Sequence, residues 1–347
     1  MADIYKKKLM SILGTRYDID KKYAEGGMGK IYLGMHRTLG KPVAIKVIDQ
    51  RFGGDDKMRK RFFKEAKLVA NLTHKGIIDI YDFGSREDFD FLIMPFIDGE
   101  TLSHKLKKEG RLSCSESLYI IQSVAEALAF AHKKYVVHRD IKPSNIMIDV
   151  QKQVILTDFG ISKDLTDPEM TATGMILGSP RYMSPEQALG RPVDGRSDLY
   201  SLGLVFYEMV TGQYPYEDKG TQALLYMQAH ELPPKPDQIV SDLPEQVSAI
   251  IIKLLRKSPK HRYQTGEELI RDLLRCGSAN YPIETAALET DDPAIVNHSN
   301  ETTITERHHK FAETLFKPVF IQSNHFADMR PFYHWNCSTL RSSPHSL

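Results

Sequence analysis

Short apolar runs broken by glycine fill the first part of the chain: residues 31–33, 43–48 and 89–94 have the length and the β-branched or aromatic content of strands. Strand alternation puts Ala44 and Lys46 on one face and Val43, Ile45 and Val47 on the other. A helix interrupts these strands, because Met58, Phe62, Ala66 and Val69 recur at helical spacing behind Asp55-Asp56, an acidic start that suits a helix N-terminus. After Gly99 the period changes. Ser113-Cys114-Ser115-Glu116 has the form of a capping box, and Leu118, Ile121, Ala125, Leu128 and Ala131 follow it on one helix face. Helical patterns return at 198–210, 247–255 and 267–274, with Pro-rich turns such as Leu232-Pro233-Pro234-Lys235-Pro236 between them, and the packed pattern stops near Cys276. The pattern predicts an α+β protein with a small sheet-rich lobe carrying one helix and a larger helical lobe.

Composition narrows the picture. The 347 residues, 41% of them hydrophobic, suffice for sizeable cores, and 46 Lys and Arg against 45 Asp and Glu leave no global field to draw nucleic acid or an anionic membrane. Cys114, Cys276 and Cys337 are scattered without a C-x-x-C pair, which suits a reducing compartment. The first residues lack the apolar core of a signal peptide, and no uncharged apolar run reaches the roughly 18 residues of a membrane span, so a soluble, cytoplasmic protein is expected. Residues 1–15 read as an N-terminal arm, with Lys6-Lys7-Lys8 solvated, and 16–276 as a folded domain dividing into 16–97 and 98–276. Residues 277–347 form a tail, first acidic, then rich in His and aromatics, in which Ile304, His308, Phe311 and Leu315 would share a helix face. His308, His309, His325, His334 and Cys337 read as solvated groups, since no local pair fixes two zinc ligands.

Candidate chemistry lies in ordered motifs. Glu25-Gly26-Gly27-Met28-Gly29-Lys30-Ile31 sits between two candidate strands, where glycines let backbone N–H groups approach phosphate oxygens; alone it is a turn as readily as a binding loop. Lys46, on the Val43-Ala44-Ile45-Lys46 strand, could aim a cation at those phosphates, and Glu65 on the helix could hold its ammonium. In His138-Arg139-Asp140-Ile141-Lys142-Pro143-Ser144-Asn145, Pro143 disfavours helix, so Asp140 and Asn145 fall on a loop. Asp140 can accept the proton of an attacking hydroxyl, Lys142 can steady a transferred phosphoryl group, and Asn145 with Asp158 of Asp158-Phe159-Gly160 offers oxygens to Mg²⁺. Any one of these acids could be a cap or turn residue, but the ordered set matches phosphoryl transfer from Mg-ATP.

The set resembles the Hanks-type protein kinases, and the phrases at 26–34, 181–190 and 197–216 are similar to the bacterial serine/threonine kinases among them. The resemblance covers about residues 16 to 276 and implies a bilobal kinase fold with a small antiparallel-sheet N-lobe. It implies Asp140, Lys142, Lys46 and Glu65 as catalytic residues, with Glu65 as the partner of Lys46, and Asn145 and Asp158 as metal ligands. ATP would be bound by Ala24, Glu25, Gly26, Gly27, Met28, Gly29, Ile31, Ala44, Lys46, Met94, Phe96, Ile97 and Met147, with Mg²⁺ or Mn²⁺ as the cation. Met94 would be the gatekeeper, Met147 the floor of the adenine pocket, and Ile31 and Ala44 its roof. Glu186 would pair with Arg262, and Asp198 would brace the catalytic loop. Ala24 stands where a first glycine is usual, Pro95 where an acidic hinge residue is usual, and Ser179 where threonine is usual; none removes a catalytic group.

The resemblance further implies transfer to Ser or Thr hydroxyls of protein substrates. Thr166, Thr171 and Thr173 lie where a phosphate could order the segment from 158 to 186 against Arg139, and autophosphorylation is expected at Thr171 or Thr173, with self-association supplying one copy to another. The alternative is a pseudokinase scaffold that binds ATP without turnover. A small-molecule phosphotransferase is disfavoured by the Gly178-Ser179-Pro180 and Ser184-Pro185-Glu186 segment, which forms a peptide platform in the resembling family.

Overall fold

The computed structural model describes residues 3–26, 29–49, 56–86, 89–159, 180–217 and 220–277. The N-terminal lobe is a five-stranded antiparallel sheet in the order β1-β2-β3-β5-β4, formed by β1 (Tyr17–Gly26), β2 (Gly29–His36), β3 (Lys41–Asp49), β4 (Asp82–Ser85) and β5 (Phe89–Pro95). Register is set by burial on both faces. Val43, Ile45 and Val47 are buried on one side of β3, while Ala44 and Lys46 lie on the other, opposite Met94 and Leu92 of β5. A one-residue slip would exchange the two sets, so the alternation that predicts the strand also fixes its pairing.

The two faces of the sheet have different covers. Helix α1 (Ile4–Leu13) packs on the first, where Leu9 and Leu13 are fully buried against Tyr32, Val43, Ile45 and Ile93. This departs from the solvated arm expected for residues 1–15. Tyr5, Leu9 and Leu13 recur every fourth residue and Asp3 caps the helix, a periodicity that the Lys6-Lys7-Lys8 run obscures; Lys7 and Lys8 are exposed. Helix α2 (Asp56–Ala70) lies with the main core, to which it contributes Phe62, Ala66 and Val69.

The C-terminal lobe is helical: α3 (Leu102–Glu109), α4 (Cys114–Lys133), α5 (Pro185–Ala188), α6 (Gly195–Thr211), α7 (Thr221–His230), α8 (Pro236–Ile239), α9 (Glu245–Leu254) and α10 (Gly266–Gly277). Ser113 caps α4 by accepting the Glu116 N–H at 3.3 Å, the serine half of the expected box. Helix α6 runs through the centre, with Leu199, Leu202, Leu204 and Val205 at zero exposure; an apolar surface all round is what such a central helix requires. It starts at Gly195 behind an Asp194 cap, before the 198–210 stretch. A small sheet, β6 (Gly99–Thr101), β7 (Ile146–Asp149) and β8 (Val154–Leu156), carries the loops of the candidate site between the lobes, and Ile78 and Gly76 are tied to Leu156 by backbone hydrogen bonds of 3.0 and 2.8 Å. Among the described residues no helix is long and apolar enough to cross a membrane.

Candidate active site

The loop between α4 and β7 is held from below by one carboxylate. Asp198, 1% exposed at the start of α6, accepts the His138 N–H on Oδ2 and the Arg139 N–H on Oδ1, each at 2.8 Å, and His132 Nε2 reaches Oδ2 at 2.8 Å. These bonds support a left-handed backbone at Arg139 (φ 64°), a conformation that costs a non-glycine residue about 1 kcal/mol or more. The Arg139 carbonyl accepts Gln187 Nε2 at 3.0 Å, so both peptide groups of the strained residue are pinned. His138 is fully buried. Its Nε2 donates to the Thr157 carbonyl at 3.0 Å and its Nδ1 accepts the Asp140 N–H at 3.2 Å, which requires the neutral ring. Burial holds its pKa below the ordinary value against the pull of Asp198.

Above this support the loop presents its polar groups together. Lys142 Nζ lies 2.9 Å from Asp140 Oδ2, and Asn145 Nδ2 donates to the same oxygen at 3.0 Å and to the Asp140 carbonyl at 2.8 Å. The Asn145 amide nitrogen is therefore committed to Asp140, while its oxygen accepts the Ser144 hydroxyl at 3.4 Å and keeps a second lone pair that could meet a cation. The Asn145 carbonyl accepts the Thr157 N–H at 2.9 Å and the Thr157 hydroxyl at 3.1 Å, tying the loop to the residue before Asp158.

Asp158 also has a left-handed backbone, at φ 57°, and its Oδ1 meets Lys46 Nζ at 2.8 Å. Burial raises the Asp158 carboxyl pKa, but the Lys46 ammonium lowers it more, to a net value below the ordinary range. Glu65 Oε1 instead meets Arg139 Nη1 at 3.2 Å. Beside the Lys142–Asp140 pair, then, Lys46 meets Asp158 and Glu65 meets Arg139, where the resemblance led to an expectation of Lys46–Glu65. The two arrangements differ in where α2 puts one carboxylate, which periodicity does not report.

The sheet provides the remaining walls. Ile31 and Leu33 pair with Lys46 and Ala44 across β2 and β3, Ala44 pairs with Met94, and Met147 stands on β7 opposite Thr101 and Ile155. The Phe96 N–H donates to the Pro42 carbonyl at 3.2 Å, and the Tyr23 and Phe96 rings meet edge to face at 5.8 Å, closing β1 onto the segment that contains Ile97. Ala24 pairs with Ile31, Glu25 with Lys30 and Gly26 with Gly29. A Cβ on Gly29 would fall 1.9 Å from the Val47 carbonyl oxygen, so that position requires glycine. Gly27, Met28, Gly160, Thr166, Thr171, Thr173 and Ser179 lie outside the described residues, as does the tail from 278 onward.

A buried ion pair anchors the far edge of the site. Arg262 Nη1 and Nη2 each reach a Glu186 oxygen at 2.8 Å, with side-chain exposures of 0% and 7%. Burial raises the Glu186 pKa, but the hydrogen bonds and charge of Arg262 together with the Ser197 hydroxyl bring it below the ordinary value. Sequence reasoning missed His138 as a brace, the Gln187 contact to Arg139 and the Tyr23–Phe96 closure. For Gln187 a signal existed, because Ser184-Pro185-Glu186-Gln187 has capping-box spacing and forms that box in α5.

Comparison with known proteins agrees with this geometry. The family model described as protein kinase domain matches residues 17–273. A probable serine/threonine-protein kinase of Clostridium perfringens is 37% identical over 284 residues, covering 81% of this chain and 41% of that protein. PrkC of Bacillus subtilis is 36% identical (75% and 40% covered), and PknB of Mycolicibacterium smegmatis is 34% identical (84% and 46%); both carry the name serine/threonine-protein kinase. The chain thus spans less than half the length of these relatives. Among solved structures, the kinase domain of Mycobacterium tuberculosis PknI superposes with a TM-score of 0.62 at 26% identity, covering 76% of this chain and 96% of that one. With its bilobal fold, the clustered polar loop between α4 and β7 and a domain match over most of its length, this chain belongs to the protein kinase family.

Proposed function

We propose that the chain is a serine/threonine protein kinase that transfers the γ-phosphoryl group of ATP to Ser or Thr hydroxyls of proteins. The observation that carries this reading is the convergence of Lys142 and Asn145 on Asp140 Oδ2, with Asp158 and Lys46 paired beside them. In this role Asp140 accepts the hydroxyl proton, Lys142 balances charge gathering on the transferred group, and Lys46 orients the phosphates. Asp158 and the Asn145 oxygen suit a hard divalent cation, Mg²⁺ or Mn²⁺, which would neutralise phosphate charge. Adenine would lie between Ala44 and Met147, beside Met94, Phe96 and Ile97, under Ala24 and Ile31, with Glu25, Gly26, Gly27, Met28 and Gly29 over the phosphates.

The names of the relatives support Ser/Thr rather than Tyr specificity. We place autophosphorylation at Thr171 and Thr173, with one copy acting on another, and the reaction in the cytoplasm, where ATP is available. Glu65 would take part by exchanging Arg139 for Lys46 when a phosphate claims the arginine. The test is mass spectrometry of the chain after incubation with Mg-ATP, beside Asp140→Asn. Phosphate on Thr171 or Thr173 in the first and none in the second is the expected result; equal modification of both would refute Asp140 as the base.

A further inference from the structure

We infer that helix α1 is a splint behind the glycine-rich hairpin, and that Asp3, acting through Tyr32, is a positioning residue for the nucleotide phosphates. The inference rests on the nucleotide-binding reading above. Alternate residues of β2 face opposite sides of the sheet, so Lys30 and Tyr32 turn toward α1 while Ile31 and Leu33 turn away from it. The fully buried Tyr32 places its hydroxyl 2.8 Å from each oxygen of the Asp3 carboxylate. That carboxylate also caps α1, accepting the N–H groups of Tyr5 at 3.1 Å and Lys6 at 3.3 Å. One anion thus joins the start of the helix to the strand that leaves the hairpin. Burial raises its pKa, but the Tyr32 hydroxyl and the helix N–H groups lower it further, so it is ionised at neutral pH.

A second contact lies nearer the tip. Lys30 Nζ sits 4.8 Å above the Tyr5 ring centroid and 3.4 Å from Glu25 Oε1, and Glu25 and Lys30 form the last rung before the Gly26 and Gly29 pair. Lys6 adds a third link by donating to the Asp20 carbonyl on β1. Glycine loses more conformational freedom on ordering than other residues, so each contact that restrains the strands flanking Gly26 and Gly29 lowers the ordering cost of binding. The contacts made by Asp3, Tyr5 and Lys6 lie on the opposite face of the sheet from Lys46. The splint therefore acts on nucleotide affinity and leaves the chemical step alone.

The test uses the full chain with Tyr32→Phe, which removes the hydroxyl and keeps the buried ring, and with Asp3→Ala and Asp3→Asn. Amide hydrogen exchange over residues 22–31 is measured without nucleotide, and KM for ATP and kcat with it. In Tyr32→Phe and Asp3→Ala, hairpin exchange quickens and KM for ATP rises about 5- to 10-fold, with kcat within about 2-fold. Asp3→Asn keeps a capping and accepting oxygen and restores most of the loss. Unchanged hairpin exchange overturns the inference, as does a fall in kcat with KM unmoved. A wild-type chain that transfers no phosphoryl group while Tyr32→Phe still loosens the hairpin would refute the proposed reaction and support the splint.

Discussion

Lys46 Nζ stands 2.8 Å from Asp158 Oδ1, so the sheet lysine and the carboxylate beside the Asp140 loop already neutralise one another. The pair is partly open, with side-chain exposures of 22% and 32%, and adds under about 1 kcal/mol to folding. On the proposed reaction, its value lies in placing a cation where phosphates would bind.

Lys46→Met therefore separates activity from stability. Loss of one preorganised cation lowers the transfer rate about 100-fold or more, while the unfolding free energy changes by under about 1 kcal/mol. Initial rates and a urea melt on the same preparation check this. A large loss of stability accompanying the lost activity would make Lys46 a structural residue instead.

Glu186 and Arg262 behave in the opposite way. Arg262→Ala leaves a buried carboxylate without its bidentate partner and costs about 3–5 kcal/mol, read as a shifted urea midpoint. Because the Glu186 pKa is depressed in the fold, the pair's contribution is complete above the ordinary value of 4.5 and lost as pH falls through the folded pKa. The wild-type melt should steepen its pH dependence below 4.5, and the variant should lack that component.

His138 titrates with its own sign. The neutral ring donates to Thr157 and accepts from Asp140, and protonating Nδ1 would set two N–H groups against each other. Its folded pKa lies below 6.5, so above 6.5 both states are neutral and stability is complete. As pH falls below 6.5 the unfolded chain takes up the proton first and stability declines. Thermal midpoints recorded from about pH 7.5 down to about pH 5 should show this decline, and His138→Asn should reduce its slope. An identical slope in both proteins would remove His138 from the account.

The clustering of Asp140, Lys142 and Asn145 was legible because they lie within a few residues on one loop, where spacing alone limits their geometry. The strands 43–48 and 89–94 were legible through alternation, which burial on both sheet faces enforces. The partner of Glu65 was not, since apolar periodicity sets α2 against the core and does not report which cation its carboxylate meets. Helix α1 was hidden by its own composition, because Lys6, Lys7 and Lys8 dominate a segment whose packing depends on Leu9 and Leu13 alone being fully buried. The His138 tautomer follows from two backbone groups distant in sequence or fixed by the loop, which no side-chain pattern records.

The most direct test of the account is transfer of label from γ-labelled Mg-ATP to a generic Ser/Thr protein substrate, by the wild-type chain and by Asp140→Asn. Label on the substrate with the wild type, and a loss of about 100-fold or more with the variant, whose fold is retained, is the expected result. ATP binding without transfer by the wild-type chain, or equal transfer by both, would contradict it.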